Sequence, residues 1–436
     1  MFSKYLNDPS LGMICSDEHF IRKMLDFEIA LAQVQAILGI IPKEAAQNIE
    51  EKLKTLQILP ESLAEGTLQN GIPTITLINL AKKALSDAAK DYLHWGATSQ
   101  DVMDTAQVLI IKEVIPILEK KILELLQNLA VLIDNQGNLP TIGRTRTQQA
   151  VPILFGQKIA NWASPLIRHL ERLAQLKPRL LVAQLGGAAG NLSALGDQGL
   201  IISEALAKQL ALNFALPWHN QRDNFAEFTN WLALLSESLG KMGQDILLMS
   251  QTEINEVIEN ADGGGKSSTM PHKNNPILSE TLLVLAKKNA NLASIQLQSM
   301  IHGNERDGTA WLLEWENLPK MILNTGTALN HALTISKNLK ANPNAMQKNI
   351  DLLNGLVFSE AASFILAQYL PRNEAKIIVE KACQDVVSEG KSLEEVLLNL
   401  TYDLKIDWHL ALNIDNHLGV SREIMNKVVA QIKHLK

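Results

Sequence analysis

The stretch with the strongest chemical character is Ala261-Asp-Gly-Gly-Gly-Lys-Ser-Ser-Thr-Met-Pro-His-Lys-Asn-Asn-Pro276. Gly263, Gly264 and Gly265 free its backbone. Ser267 and Ser268 can act as nucleophile, base or hydrogen-bond donor, and Lys273 with Asn275 can hold a carboxylate. A loop of this make-up between two helical patterns can close over a substrate and exclude water. Gly265-Lys266-Ser267 imitates the end of a phosphate-binding P-loop, but Asn260 stands where that motif needs its first glycine, and a helix rather than a strand is read before it.

Two further segments place polar groups ahead of helices. His94-Trp-Gly-Ala-Thr-Ser-Gln-Asp101 sets Thr98 and Ser99 at a helix start, where unpaired amides and the helix dipole favour an anion. Plain capping by Ser99 or Asp101 accounts for the same residues equally well. Gly143-Arg-Thr-Arg-Thr-Gln-Gln-Ala150 puts two arginines before the next helix, which reads either as a carboxylate or phosphate grip or as a solvated turn. In the clusters Trp218 to Asp223 and Asn304 to Trp315, Trp311 and Trp315 read as packing residues.

The elements that must position these segments are helical. Apolar residues recur at three- and four-residue steps in Met24, Phe27, Leu31 and Val34, and again in Leu232, Leu235, Leu239, Met242, Ile246 and Met249. The stripe Val108, Ile111, Ile115, Leu118, Ile122, Leu125, Leu129, Leu132 keeps a seven-residue repeat and predicts one long helix, kinked at Pro116. Residues 153–176 and 276–297 offer two more long helices, so five form a bundle. Apolar residues on more than one side of such helices predict an obligate homo-oligomer. Breaks divide the chain into an N-terminal helical domain (1–100), a central long-helix bundle (101–340) and a C-terminal helical domain (341–436).

Composition excludes other classes. With 46% hydrophobic and 20% charged residues the chain is globular rather than disordered or fibrous. Forty Lys+Arg against 46 Asp+Glu give a net charge of -6, without the basic footprint of a nucleic-acid binder. Cys15 and Cys383 have neither disulfide-framework nor metal-site spacing, which fits a reducing cytoplasm. No run approaches the roughly 18 apolar residues of a membrane span, and no basic start precedes an apolar stretch. A small molecule is the expected partner, with no nucleic acid and no membrane.

Ser267-Ser-Thr-Met-Pro-His-Lys-Asn-Asn-Pro276 resembles the Gly-Ser-Ser-x-Met-Pro-x-Lys-x-Asn-Pro signature of the fumarase/aspartase superfamily, and the other two motif regions occur in the matching order. The resemblance spans essentially the whole chain. It implies an all-α homotetramer around a long central bundle, active sites shared between subunits, and neither cofactor nor metal. Lys266 departs from the pattern, standing where the family usually has glycine.

Within the superfamily the sequence is most similar to the branch that cyclises carboxylated muconates. Adenylosuccinate lyases, the alternative, carry a histidine acid where this chain has Arg146, and another histidine before the first motif, where Asn70-Gly-Ile-Pro-Thr-Ile-Thr76 has none. The implied reaction adds a carboxylate of a tricarboxylic diene to its own double bond while a neighbouring carbon takes a proton. The resemblance implies Ser267 and Lys273 as catalytic residues. It places His94, Thr98, Ser99, Thr145, Arg146, Gln221, Arg222, Asn275 and Glu280 around the substrate, with Arg146, Arg222, Lys273 and Arg306 supplying cations. Glu280 matches a glutamate that in related lyases orients the absent histidine.

Overall fold

The computed structural model describes residues 3–259 and 263–435, so Asn260, Ala261 and Asp262 at the loop entrance lie outside the described residues. The architecture is helical, as the stripes predict. Helix α1 (Asp17–Ile37) begins where the Ser16 hydroxyl accepts the His19 amide and two acids occupy the first turn. Five long helices follow: α2 (Ser99–Gln136), α3 (Phe155–Leu180), α4 (Asp223–Met249), α5 (Ile277–Gln298) and α6 (Gly308–Asn338).

The seven-residue stripe of α2 is buried along its whole length, from Val108 to Leu132. The helix runs on past Pro116, so that proline, which can donate no backbone hydrogen bond, does not end it. The α4 stripe from Leu232 to Met249 is buried as well. Polar side chains pin the packing: Asn289 Nδ2 on α5 donates to Ser236 Oγ on α4 at 2.8 Å and to Thr325 Oγ1 on α6 at 2.9 Å. All three residues are buried, where only paired polar groups are tolerated.

The chain forms two compact units: Met1–Lys121 with His169–Glu237 and Leu285–Asn330, and Ile122–Arg168 with Ser238–Val284 and His331–Lys436. Each of the five long helices thus contributes a stretch to each unit. Within the second, Ala362, Leu366, Val379, Leu397 and Trp408 belong to a core of the C-terminal helices.

Three segments differ from the sequence reading, the first being α6 itself, which is not among the five helices expected. Residues 140–154 form an antiparallel hairpin, β1 (Pro140–Thr145) and β2 (Gln148–Leu154), before α3 starts at Phe155. Its two-residue turn holds Arg146 at φ 47° and Thr147 at φ 70°, left-handed backbone usually given to Asn or Gly. Likewise, α4 ends at Met249 and a short strand, β3 (Val257–Ile258), precedes the glycine-rich loop where a helix was expected. It pairs with β4 (Lys340–Ala341).

Candidate active site

In the first unit the polar segment at residues 94–101 is a tight corner. His94 and Gly96 both adopt positive φ, 64° and 78°. A Cβ on Gly96 would meet Leu195 at 2.4 Å, so glycine is required by both backbone and space. Asp101, fully buried, gathers the segment: it accepts the Thr98 amide at 2.9 Å, the Gly186 and Gly187 amides at 2.8 and 3.0 Å, and His219 Nε2 at 2.7 Å. The capping role therefore falls to Asp101 rather than to Ser99 at the head of α2.

Thr98 Oγ1 accepts a 2.7 Å hydrogen bond from Arg306, whose other terminal nitrogen donates to the Ala188 carbonyl. An exposed guanidinium beside Thr98 and Ser99 at a helix N-terminus is suited to a carboxylate. His94 stands at the same corner, its Nδ1 2.6 Å from Glu28 Oε1. Glu28 is fully buried. Sequence reasoning missed it, although a charged residue inside the apolar stripe of α1 was the available signal.

Arg222 does not fit the role expected of it. Its guanidinium is 1% exposed and donates to Asp104 at 2.6 and 3.1 Å and to Glu314 at 2.5 to 3.2 Å. It also lies 4.8 Å from the Trp218 ring centroid and 4.9 Å from that of Phe225. With its donors committed to two carboxylates, it locks α2, α4's approach and α6 together instead of meeting a substrate. Trp311 Nε1 adds a 2.9 Å hydrogen bond to Asp104, and its ring meets Trp315 edge to face, the packing role expected of both. Gln221 is exposed, and its side-chain amide donates to the Pro217 carbonyl at 3.4 Å.

In the second unit the glycine-rich loop folds back on itself. Lys266 and Asn274 form an isolated antiparallel bridge, and the Asn275 backbone and side-chain amides both donate to the Gly265 carbonyl at 2.9 Å. Asn275 thereby ties the two ends of the loop together. Gly265 has φ +62°, and a Cβ there would lie 2.0 Å from the Asn275 carbonyl. Between the ends, Ser267 Oγ accepts the amides of Met270 at 3.1 Å and Thr269 at 3.3 Å. Two amides aimed at one hydroxyl oxygen favour its alkoxide form. Lys273 is exposed on the same loop.

Glu280 is exposed in the first turn of α5, whose amides at Leu278 and Ser279 are capped by the buried Glu259 at 3.0 and 2.7 Å. At the hairpin tip Thr145 and Arg146 are exposed. Arg144, on β1, makes a two-pronged ion pair with the buried Glu256 at 2.7 and 2.9 Å, and Asn349 donates to the same carboxylate. Of the two arginines read as a grip, one thus anchors the hairpin and the other is exposed at its tip.

A predominantly helical chain carrying a Ser-Ser-x-Met-Pro-x-Lys-x-Asn-Pro loop and a hydroxyl-bearing helix start has the make-up of a lyase-type enzyme. Residues 6–288 match the model of a family described as lyase, and the chain belongs to that family. The resemblance to the fumarase/aspartase superfamily holds. A 3-carboxy-cis,cis-muconate cycloisomerase from Acinetobacter baylyi is 41% identical, over 88% of this chain and 87% of its own length. A trans-aconitate decarboxylase from Mycosarcoma maydis is 38% identical, over 91% of this chain and 81% of its own. The crystal structure of the 3-carboxy-cis,cis-muconate lactonizing enzyme from Pseudomonas putida superposes with a TM-score of 0.93 at 36% identity, covering 99% of both chains.

Proposed function

We propose that this chain is a cycloisomerase converting 3-carboxy-cis,cis-muconate to its carboxymuconolactone, in the protocatechuate branch of aromatic degradation. The observation that carries the reading is the pairing of a serine loop whose Ser267 Oγ is held by two amides with an arginine, not a histidine, at the hairpin tip. Histidine there would serve to protonate a leaving amine; ring closure has no leaving group.

A carboxylate oxygen of the substrate adds to its own double bond, forming the ring C–O bond. The π electrons move onto the neighbouring carbon and are spread into the carboxylate that it bears. That carbon then takes the proton of the Ser267 hydroxyl, and the alkoxide left behind rests on the Thr269 and Met270 amides until water reprotonates it. Thr98, Ser99, Arg306 and His94 hold substrate carboxylates at one position. Lys273 and Arg146 hold them at another, and Asn275 keeps the loop closed. Gln221 borders the site.

Different subunits of a homotetramer contribute these groups to each active site. Supporting this are the exposed Val131, Leu234, Leu248, Val284, Leu297, Leu312 and Leu313 on four of the five long helices. No cofactor or metal takes part. No single helix among the described residues is long and apolar enough to cross a membrane, and with two free cysteines we place the enzyme in the cytoplasm.

The test is an ultraviolet assay of the purified protein against 3-carboxy-cis,cis-muconate, trans-aconitate and adenylosuccinate. Loss of diene absorbance with the muconate alone is expected; cleavage of adenylosuccinate would overturn the reading from missing histidines. In the same assay Arg146→His should raise KM for the muconate about tenfold with kcat little changed, the signature of a lost charged hydrogen bond to bound substrate. An unaltered KM would remove Arg146 from the site.

A further inference from the structure

We propose that Glu28, buried on α1 and outside every sequence motif, is a positioning residue that keeps His94 as a fixed imidazolium for a substrate carboxylate. The inference deepens the functional reading above and rests on its placement of His94 beside the substrate.

The geometry has three parts. Glu28 is 0% exposed, and its only hydrogen-bond partner among the described residues is His94 Nδ1, since Glu28 Oε2 is buried without one. A carboxylate cut off from water is stable only against a counter-charge, so the ring beside it is best served by carrying one. Second, Gln35, two turns further along α1 and equally buried, donates to the Trp95 carbonyl at 2.8 Å. Residues 28 and 35 therefore grip two consecutive residues of the corner and hold His94 in its left-handed backbone, φ 64°. Third, with Nδ1 committed to Glu28, Nε2 is the ring nitrogen left to donate outward.

On balance the charges around the ring favour its charged form. Burial by itself would discharge His94, but the charge and hydrogen bond of Glu28 outweigh it and hold the ring above its ordinary acidity range. Asp101 at the head of α2 adds to this, and Lys82 from the helix Thr74–Ala84 opposes it. A histidine with a raised pKa is charged below that pKa and loses its charge as pH rises through it. Its grip on an anion is therefore lost as pH rises through that raised value. The pair also replaces a cation that the substrate does not receive from Arg222, which is enclosed by Asp104 and Glu314.

Two measurements test the proposal. In the wild-type enzyme, modification of His94 by diethyl pyrocarbonate, which attacks only neutral imidazole, is followed by peptide mass spectrometry across pH. The midpoint should lie above the ordinary value of about 6.5; a midpoint at or below it overturns the imidazolium, whatever the substrate proves to be. In Glu28→Gln, KM for the tricarboxylate at pH 7.5 should rise about tenfold, the size of one lost charged contact, with kcat within twofold. The alkaline limb of kcat/KM should move to lower pH, and much of the KM defect should disappear at pH 5.5, where an unassisted histidine is protonated. A folded variant with unchanged KM and pH profile overturns the positioning role. If that variant does not fold, the modification midpoint decides alone.

Discussion

Ser267→Ala should lower kcat by about a thousandfold, the middle of the range for losing a group that transfers a proton in the rate-determining step. KM should change little, because the carboxylate contacts assigned to Thr98, Ser99, Lys273 and Arg146 remain. Thermal unfolding should also be unaffected, since Ser267 lies on a loop, partly exposed, and its hydroxyl supports only two local amides. Ser268→Ala is the matched comparison: it removes an adjacent, exposed hydroxyl with no amide pair directed at it and should retain most activity. Steady-state kinetics of the two variants at saturating muconate decide the matter. If Ser267→Ala kept most of its turnover while Ser268→Ala lost it, the proton would belong to the neighbouring serine, and the amide pair would be only a turn-forming device.

Arg222→Leu should destabilise the fold by about 3–5 kcal/mol at neutral pH, as expected when one partner of a buried ion network is removed. The leucine fills part of the volume but leaves Asp104 and Glu314, 2% and 3% exposed, facing each other without a cation. Burial already pushes the Glu314 carboxyl above the usual glutamate range, despite Arg222 opposing it. A carboxyl with a raised pKa takes up its proton as pH falls and sheds its charge. In the variant that uptake relieves the repulsion, so the stability deficit should shrink between pH 7.5 and pH 5.5. Denaturant or thermal unfolding at the two pH values tests this, and an equal deficit at both would mean that lost packing on Trp218 and Phe225 dominates. Were Arg222 a substrate contact, the variant would instead be stable with a raised KM.

Helices α2 and α4 were legible because their stripes are regular over many turns, and they bury the residues that the spacing marks; α6, whose start lies in the cluster Asn304 to Trp315, was not read as a helix. The serine loop was legible for the opposite reason, as a run of glycine, hydroxyl and cationic residues that no helix would choose. The hairpin was not. Its turn is Arg146-Thr147, with neither the Asn nor the Gly that signals left-handed backbone, and Pro152 in β2 argues against a strand. Arg222 looked available because local sequence shows only its neighbours; the acids that consume it stand 118 and 92 positions away. Glu28 was hidden within an apolar stripe, where the eye counts leucines. Local pattern reveals elements and loops, whereas the pairing of buried charges is a property of the folded chain.

Asp101 carries a consequence for how the enzyme comes into being. Apart from the amide of Thr98, its acceptor oxygens are satisfied by groups 85, 86 and 118 residues further along the chain. Contacts of such separation are entropically expensive to close and form after local structure. The helices can therefore appear early on a newly made or refolding chain, while the corner that presents Thr98 and Ser99 waits for distant segments to arrive. In refolding, circular dichroism should recover ahead of turnover even where assembly is fast. A chain caught in that interval would look folded by its helix content and yet be catalytically silent.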